Sequence, residues 1–83
     1  MVDSGENFPY GKVGSVGQVG AVIREKRRTI GMRQAELAAL SGVGVRFLSE
    51  LENGKASAEI GKVLLVLRRL GLDVVIQPRR GGR

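Results

Sequence analysis

From Ser15 onward, apolar residues recur at the three- to four-residue spacing of helices buried on one side. Val16, Val19 and Ile23 share a face with the stem of Lys26. Ser15 followed by Gln18 has the form of a capping box, so a helix is expected from Ser15 to about Thr29, with Gly31 just past its end. Gly17 and Gly20 weaken its start, by roughly 1 kcal/mol each relative to alanine. A shorter run over Gln34–Leu40 turns Leu37, Ala38 and Leu40 inward, and Gly42 breaks it. The next run, Val45–Asn53, places Phe47 or Leu48 and Leu51 inward, and Asn53-Gly54 reads as a turn and C-cap. The last helical run opens at Ser57 or Ala58 and reaches Leu70. Its apolar face (Ile60, Val63, Leu64, Val66, Leu67, Leu70) is wider than one small core requires.

After Gly71 the pattern changes. Leu72–Gln77 is short, β-branched and bounded by Gly71 and Pro78, which predicts a strand. It has no sequence neighbour with which to form a hairpin, and an unpaired strand leaves backbone N–H and C=O groups without partners. Two copies pairing across a two-fold axis supply them, the alternative being that Leu72–Ile76 packs as an extended apolar tail. The expected dimer surface is therefore Leu67, Leu70, Leu72, Val74, Val75 and Ile76. Residues 1–14 lack periodicity and read as a mobile N-terminal arm, residues 15–77 as one domain, and residues 78–83 as a flexible basic tail. Phe8 and Tyr10 flank Pro9 within the arm.

Composition narrows the chemistry. The 83 residues hold no Cys and no His, which excludes disulfides and imidazole or thiolate metal sites. So small a domain is marginal alone, and oligomerisation is the remaining reinforcement. A formal charge of +6 favours a polyanionic partner. No apolar run approaches the about 18 residues of a membrane span, and the first residues lack the pattern of a secretory signal. A cytoplasmic, nucleoid-associated protein without cofactor or metal is expected. Catalysis is disfavoured: no phosphate-cradling glycine loop and no paired carboxylates stand out, and Glu59 and Asp73 lie where caps or solvated charges are common. The first helix is basic, but its glycines and weak apolar face do not suit a membrane anchor.

The central pair of short helices has the spacing of a helix-turn-helix. Counting from Gln34, a small residue, Ala38, stands fifth, where the helices press together, and Gly42 stands ninth, where the turn requires positive φ. Leu37, Val43, Leu48 and Leu51 take the buried positions. In such a unit the second helix enters the DNA major groove, its N-terminal residues toward the bases. That edge is Gly44, Val45, Arg46 and Ser49. Arg46 suits bidentate reading of guanine, Val45 a thymine methyl, and Ser49 a base or a phosphate. Gln34 and Arg33 at the preceding helix start, and Asn53 and Lys55 after the second helix, complete the candidate contacts, phosphate above all. Arg27, Arg28 and Arg33 form a candidate basic rim. Glu50 and Glu52 should face away from DNA or pair with Arg and Lys.

The stretch "IREKRRTIGMRQAELAALSGVGVRFLSELENGK" resembles the lambda-repressor-like helix-turn-helix family, also called Cro/CI or xenobiotic-response-element (XRE). Gly44 stands where that family more often has serine or another polar cap, and Arg33 where it has threonine or serine. With the ending "IGKVLLVLRRLGLDVVIQPR", the chain is similar to the HipB-type antitoxins of bacterial toxin–antitoxin pairs. The resemblance implies an all-α bundle of four to five helices with a C-terminal strand shared across a homodimer. It further implies binding of double-stranded DNA at a palindromic operator, autorepression, and restraint of a HipA-like kinase toxin. The competing readings are an XRE-type repressor without a toxin partner and a protein-interaction module that does not bind DNA.

Overall fold

Four helices, α1 (Val16–Thr29), α2 (Gln34–Ser41), α3 (Val45–Glu52) and α4 (Ile60–Arg69), carry the regular structure. The structure is a computed structural model that describes residues 10–79. Most of the expected arm, including Phe8 and Pro9, and most of the expected tail lie outside the described residues.

Each helix starts and stops for a local reason. The Ser15 hydroxyl accepts the Gln18 N–H at 3.1 Å and caps α1. The Gln18 side chain reaches back to the Gly14 N–H rather than to that of Ser15, so the expected capping box is shifted by one residue. α2 ends at Gly42 with φ 77°, a left-handed conformation that glycine adopts without steric cost. α3 ends at Asn53, whose N–H bonds back to Ser49 and Glu50 carbonyls. α4 starts at Ile60, later than the expected Ser57 or Ala58, because a turn closed by Ala58 N–H to Lys55 O occupies the preceding residues.

The helices enclose one core of Ile23, Leu37, Ala38, Leu48, Leu51, Val63, Val66 and Leu70. Burying each larger side chain contributes roughly 1.5–3 kcal/mol. α1 packs on α3, and α2 packs on both α3 and α4. Val16, Val19 and Val43 lie half-buried against this core, while Val22, not assigned to the inward face, is buried. Leu40 is a correction: expected inward, it is 49% exposed. At about 100° per residue, Gln34, Leu37, Ala38 and Ser41 share an arc of about 100°, and Leu40 sits about 60° outside it.

α1 and α3 meet backbone to backbone. A Cβ at Gly20 would stand 2.1 Å from the Leu51 carbonyl oxygen, so only glycine allows the approach.

The C-terminal segment departs from expectation. Residues 72–79 form no strand, and Val74, Val75 and Ile76 are exposed, Ile76 to 93%. A strand requires a neighbour for its ladder, and among the described residues of one protomer none is offered.

Candidate nucleic-acid interface

α3 presents two faces. Leu48, Leu51 and Glu52 are buried, whereas Val45 and Arg46 are exposed and Ser49 is half-exposed. With Asn53, these outward residues fall within an arc of about 100°, opposite Leu51. The expected reading edge is thus on one accessible strip of one helix. Gly44 precedes α3 in an extended conformation and offers no side-chain cap to the first-turn N–H groups of α3.

The start of α2 lies beside this strip. Arg33 has no acceptor atom and does not cap α2; instead its N–H donates to the Glu36 carboxylate at 2.7 Å. Its side chain is exposed, as a phosphate contact requires, and pairs loosely with Glu36 at 3.9 Å. Gln34 is half-buried and donates through Nε2 to Glu52 Oε1 at 3.0 Å. One further amide hydrogen remains on the same nitrogen for a phosphate.

Glu52 is the hub beneath the interface. Arg27 donates Nε to Oε2 at 2.7 Å and Nη2 to Oε1 at 2.9 Å, and its Nη1 donates to the Met32 carbonyl at 2.8 Å. Burial pushes the Glu52 carboxyl up, but the hydrogen bonds from Arg27 and Gln34 and the Arg27 charge outweigh it, leaving its pKa below the ordinary value. The hydrogen bond to Glu52 raises the Arg27 pKa against the opposing effect of burial. Arg27 is therefore spent inside the fold and does not join the basic rim expected of it; Arg28 and Arg33 are exposed.

Glu50 pairs with two cations. Its carboxylate accepts from Lys55 Nζ at 3.1 Å and from Arg46 Nε at 3.4 Å. The Lys55 hydrogen bond, followed by the charges of Lys55 and Arg46, lowers its pKa despite partial desolvation. The candidate contacts Arg46 and Lys55 are thus joined through Glu50, which was expected to face away from DNA or to pair with Arg and Lys, and it pairs with both. The signal was available in the i, i+4 spacing of Arg46 and Glu50.

On another side, residues 10–13 and 72–79 flank an open apolar groove of about 1450 Å³ whose lining includes Val19, Val22, Ile60 and Leu64. Ile60 and Val75 are exposed to 68% and 74%. Among the expected dimer residues, Leu67 and Leu72 are half-buried beside this groove, whereas Leu70 belongs to the protomer's own core. No helix among the described residues is long and apolar enough to cross a membrane.

Residues 23–76 match the helix-turn-helix family model. An uncharacterised HTH-type transcriptional regulator, y4mF, of Sinorhizobium fredii (strain NBRC 101917 / NGR234) is 50% identical over 58 residues, which is 70% of this chain and 76% of that protein. Among solved structures, HipB in a complex with an O4 20mer superposes with a TM-score of 0.77 at 22% identity, covering 86% of this chain and 100% of that one. HipB in a HipA–HipB–O2–O3 complex matches with the same TM-score of 0.77, at 22% identity and the same coverage of 86% and 100%. At that identity the likeness establishes a shared fold.

Proposed function

The chain belongs to the helix-turn-helix family, as an XRE-type DNA-binding transcriptional regulator, and on that premise we propose that it is a cytoplasmic antitoxin that binds a palindromic operator as a homodimer. The observation that carries the dimer is the apolar groove beside α4 and the C-terminal segment, open among the described residues, which a second copy would bury. In this reading Leu67, Leu72, Val74, Val75 and Ile76 meet the partner, and residues 72–77 gain a strand neighbour there. Two α3 helices then sit about one helical turn of DNA apart, roughly 34 Å. Val45, Arg46 and Ser49 read bases, while Arg33, Gln34, Asn53 and Lys55, with backbone from Gly44, hold phosphates.

Autorepression and restraint of a HipA-like kinase toxin extend this reading. Their support is the likeness to HipB over its whole length, including HipB assembled with HipA. The second reading, a repressor without a toxin partner, is supported by the relative described only as a transcriptional regulator.

Purification of the tagged protein from its own cells, with every co-purifying chain identified by mass, separates the two. A stoichiometric kinase-sized partner encoded by the adjacent gene is the expected result. Recovery of the protein alone, still shifting its own upstream DNA, leaves the plain repressor.

A further inference from the structure

We propose that Glu50 sets the DNA specificity of this protein, by holding Arg46 in a base-reading orientation while withholding positive charge from phosphate. The proposal rests on α3 being the DNA-facing helix.

Glu50 lies at the rim of the exposed strip of α3. Its two carboxylate oxygens serve different cations: Oε2 accepts from Arg46 Nε at 3.4 Å and Oε1 from Lys55 Nζ at 3.1 Å. The Arg46 side chain is 90% exposed, and among the described residues it makes no other hydrogen bond, so Glu50 alone restrains it. Exposed pairs of this kind add little to stability. A carboxylate among phosphate-facing groups also repels every DNA sequence alike. Its effect has to be sought in discrimination between sequences.

Two consequences follow from the geometry. Glu50 engages Arg46 through Nε, which leaves both terminal amino groups as an open fork, the part that matches guanine O6 and N7. A long side chain already held near its bound direction loses less freedom on binding. The second consequence concerns charge. Binding to random DNA is almost wholly phosphate neutralisation. One carboxylate shared by Arg46 and Lys55 cancels one of their two charges and so weakens binding to every sequence by a similar factor. Specificity is the difference between the two affinities; the charge effect lowers both alike, and the held orientation of Arg46, which only the cognate base rewards, widens it.

The test uses full-length protein and two probes: the duplex that the wild type selects from a randomised pool, and a scrambled duplex of the same composition. Glu50→Gln keeps the shape and removes the charge, and unfolding midpoints report that the fold is retained. The variant is expected to bind scrambled DNA roughly three- to tenfold more tightly, the effect of removing one like charge near phosphate. Its salt dependence steepens by about 0.9 in the log–log slope. The selected duplex also loses the held orientation of Arg46 and so gains less, and the specificity ratio falls by about threefold. In an Arg46→Ala background the same substitution tightens both duplexes equally and leaves the ratio unchanged. An unchanged ratio in the wild-type background, or a fall that persists without Arg46, overturns the proposal. A wild type that selects no preferred duplex removes base reading by α3, and the proposal with it.

Discussion

Arg27, near the end of α1, grips Glu52, the last residue of α3, through two hydrogen bonds of 2.7 and 2.9 Å. The pair joins α1 to α3, the helix that carries the candidate reading edge, and Glu52 also holds Gln34 at the start of α2. Removing one partner leaves a buried charge uncompensated. Glu52→Ala is therefore expected to cost about 3–5 kcal/mol. That is a large share of the roughly 5–15 kcal/mol total of an ordinary domain. Replacing both, as in Arg27→Met with Glu52→Leu, should recover most of the loss. Thermal unfolding followed by circular dichroism checks both, and a double variant no better than Glu52→Ala would contradict the account.

The same carboxyl predicts an acid dependence. Its folded pKa lies below the ordinary 4.5. Below that value the unfolded chain binds the proton first, so stability falls as pH falls. The contribution is fully present above the unfolded pKa and is lost as pH drops through the folded one. The stability gap between wild type and Glu52→Gln should thus narrow as pH falls through the range below the ordinary 4.5 of the unfolded carboxyl. Denaturant midpoints across that range measure it, and a gap that widens on acidification reverses the assigned sign.

Gly17 and Gly20 look alike in the sequence and differ in the fold. A Cβ at Gly17 would lie 3.7 Å from the Ser15 hydroxyl, an ordinary contact, whereas at Gly20 it would meet the Leu51 carbonyl at 2.1 Å. Gly17→Ala should stabilise by up to about 1 kcal/mol through helix propensity. Gly20→Ala should cost about 1–3 kcal/mol, as overpacking outweighs the same propensity gain. Urea midpoints decide, and a tolerated Gly20→Ala would show that α1 and α3 do not approach so closely.

What the sequence allowed, and what it withheld, divides along the range of the interactions. The four helices and the turn glycine at Gly42 were legible because periodicity and backbone stereochemistry are local. The outward strip of Val45, Arg46 and Ser49 followed from the same periodicity. Gly20 was read only as a weak helix former, because the carbonyl it admits lies on another helix. Arg27 was placed on a basic rim, because its partner is 25 residues away. Leu40 was placed inside on hydrophobicity alone, although the inward arc of α2 excludes it. The strand expected at Leu72–Gln77 does not form among the described residues, where nothing offers its backbone a ladder.

Ser41 is buried, and among the described residues its hydroxyl has no hydrogen-bond partner. Desolvating a hydroxyl without compensation costs roughly 1–3 kcal/mol. Ser41→Ala is expected to leave stability equal or higher by about 1 kcal/mol, since alanine also favours the helix. A clear loss in a thermal melt would mean that the hydroxyl has a role beyond filling space.

The last prediction concerns the exposed apolar segment. Ile76 is 93% exposed and Val75 74%, and both line the groove with Ile60 and Leu64. Surface like this is favourable to bury, by roughly 25 cal/mol per Å². It lies outside the protomer core, so substituting it should spare the monomer's fold. Ile76→Asp is expected to leave the helical signal and unfolding of the isolated chain intact while weakening self-association at least tenfold. The arithmetic is that a buried carboxylate with no partner opposes association by more than the about 1.4 kcal/mol that corresponds to tenfold. Sedimentation equilibrium reads the association directly. In the wild type, amides of residues 73–77 should gain hydrogen-exchange protection only as concentration rises, because their ladder partner is another chain. Operator affinity should fall with dimerisation, since one α3 holds only half a site. A wild type monomeric at all accessible concentrations, with full operator binding, would remove the second copy from the groove.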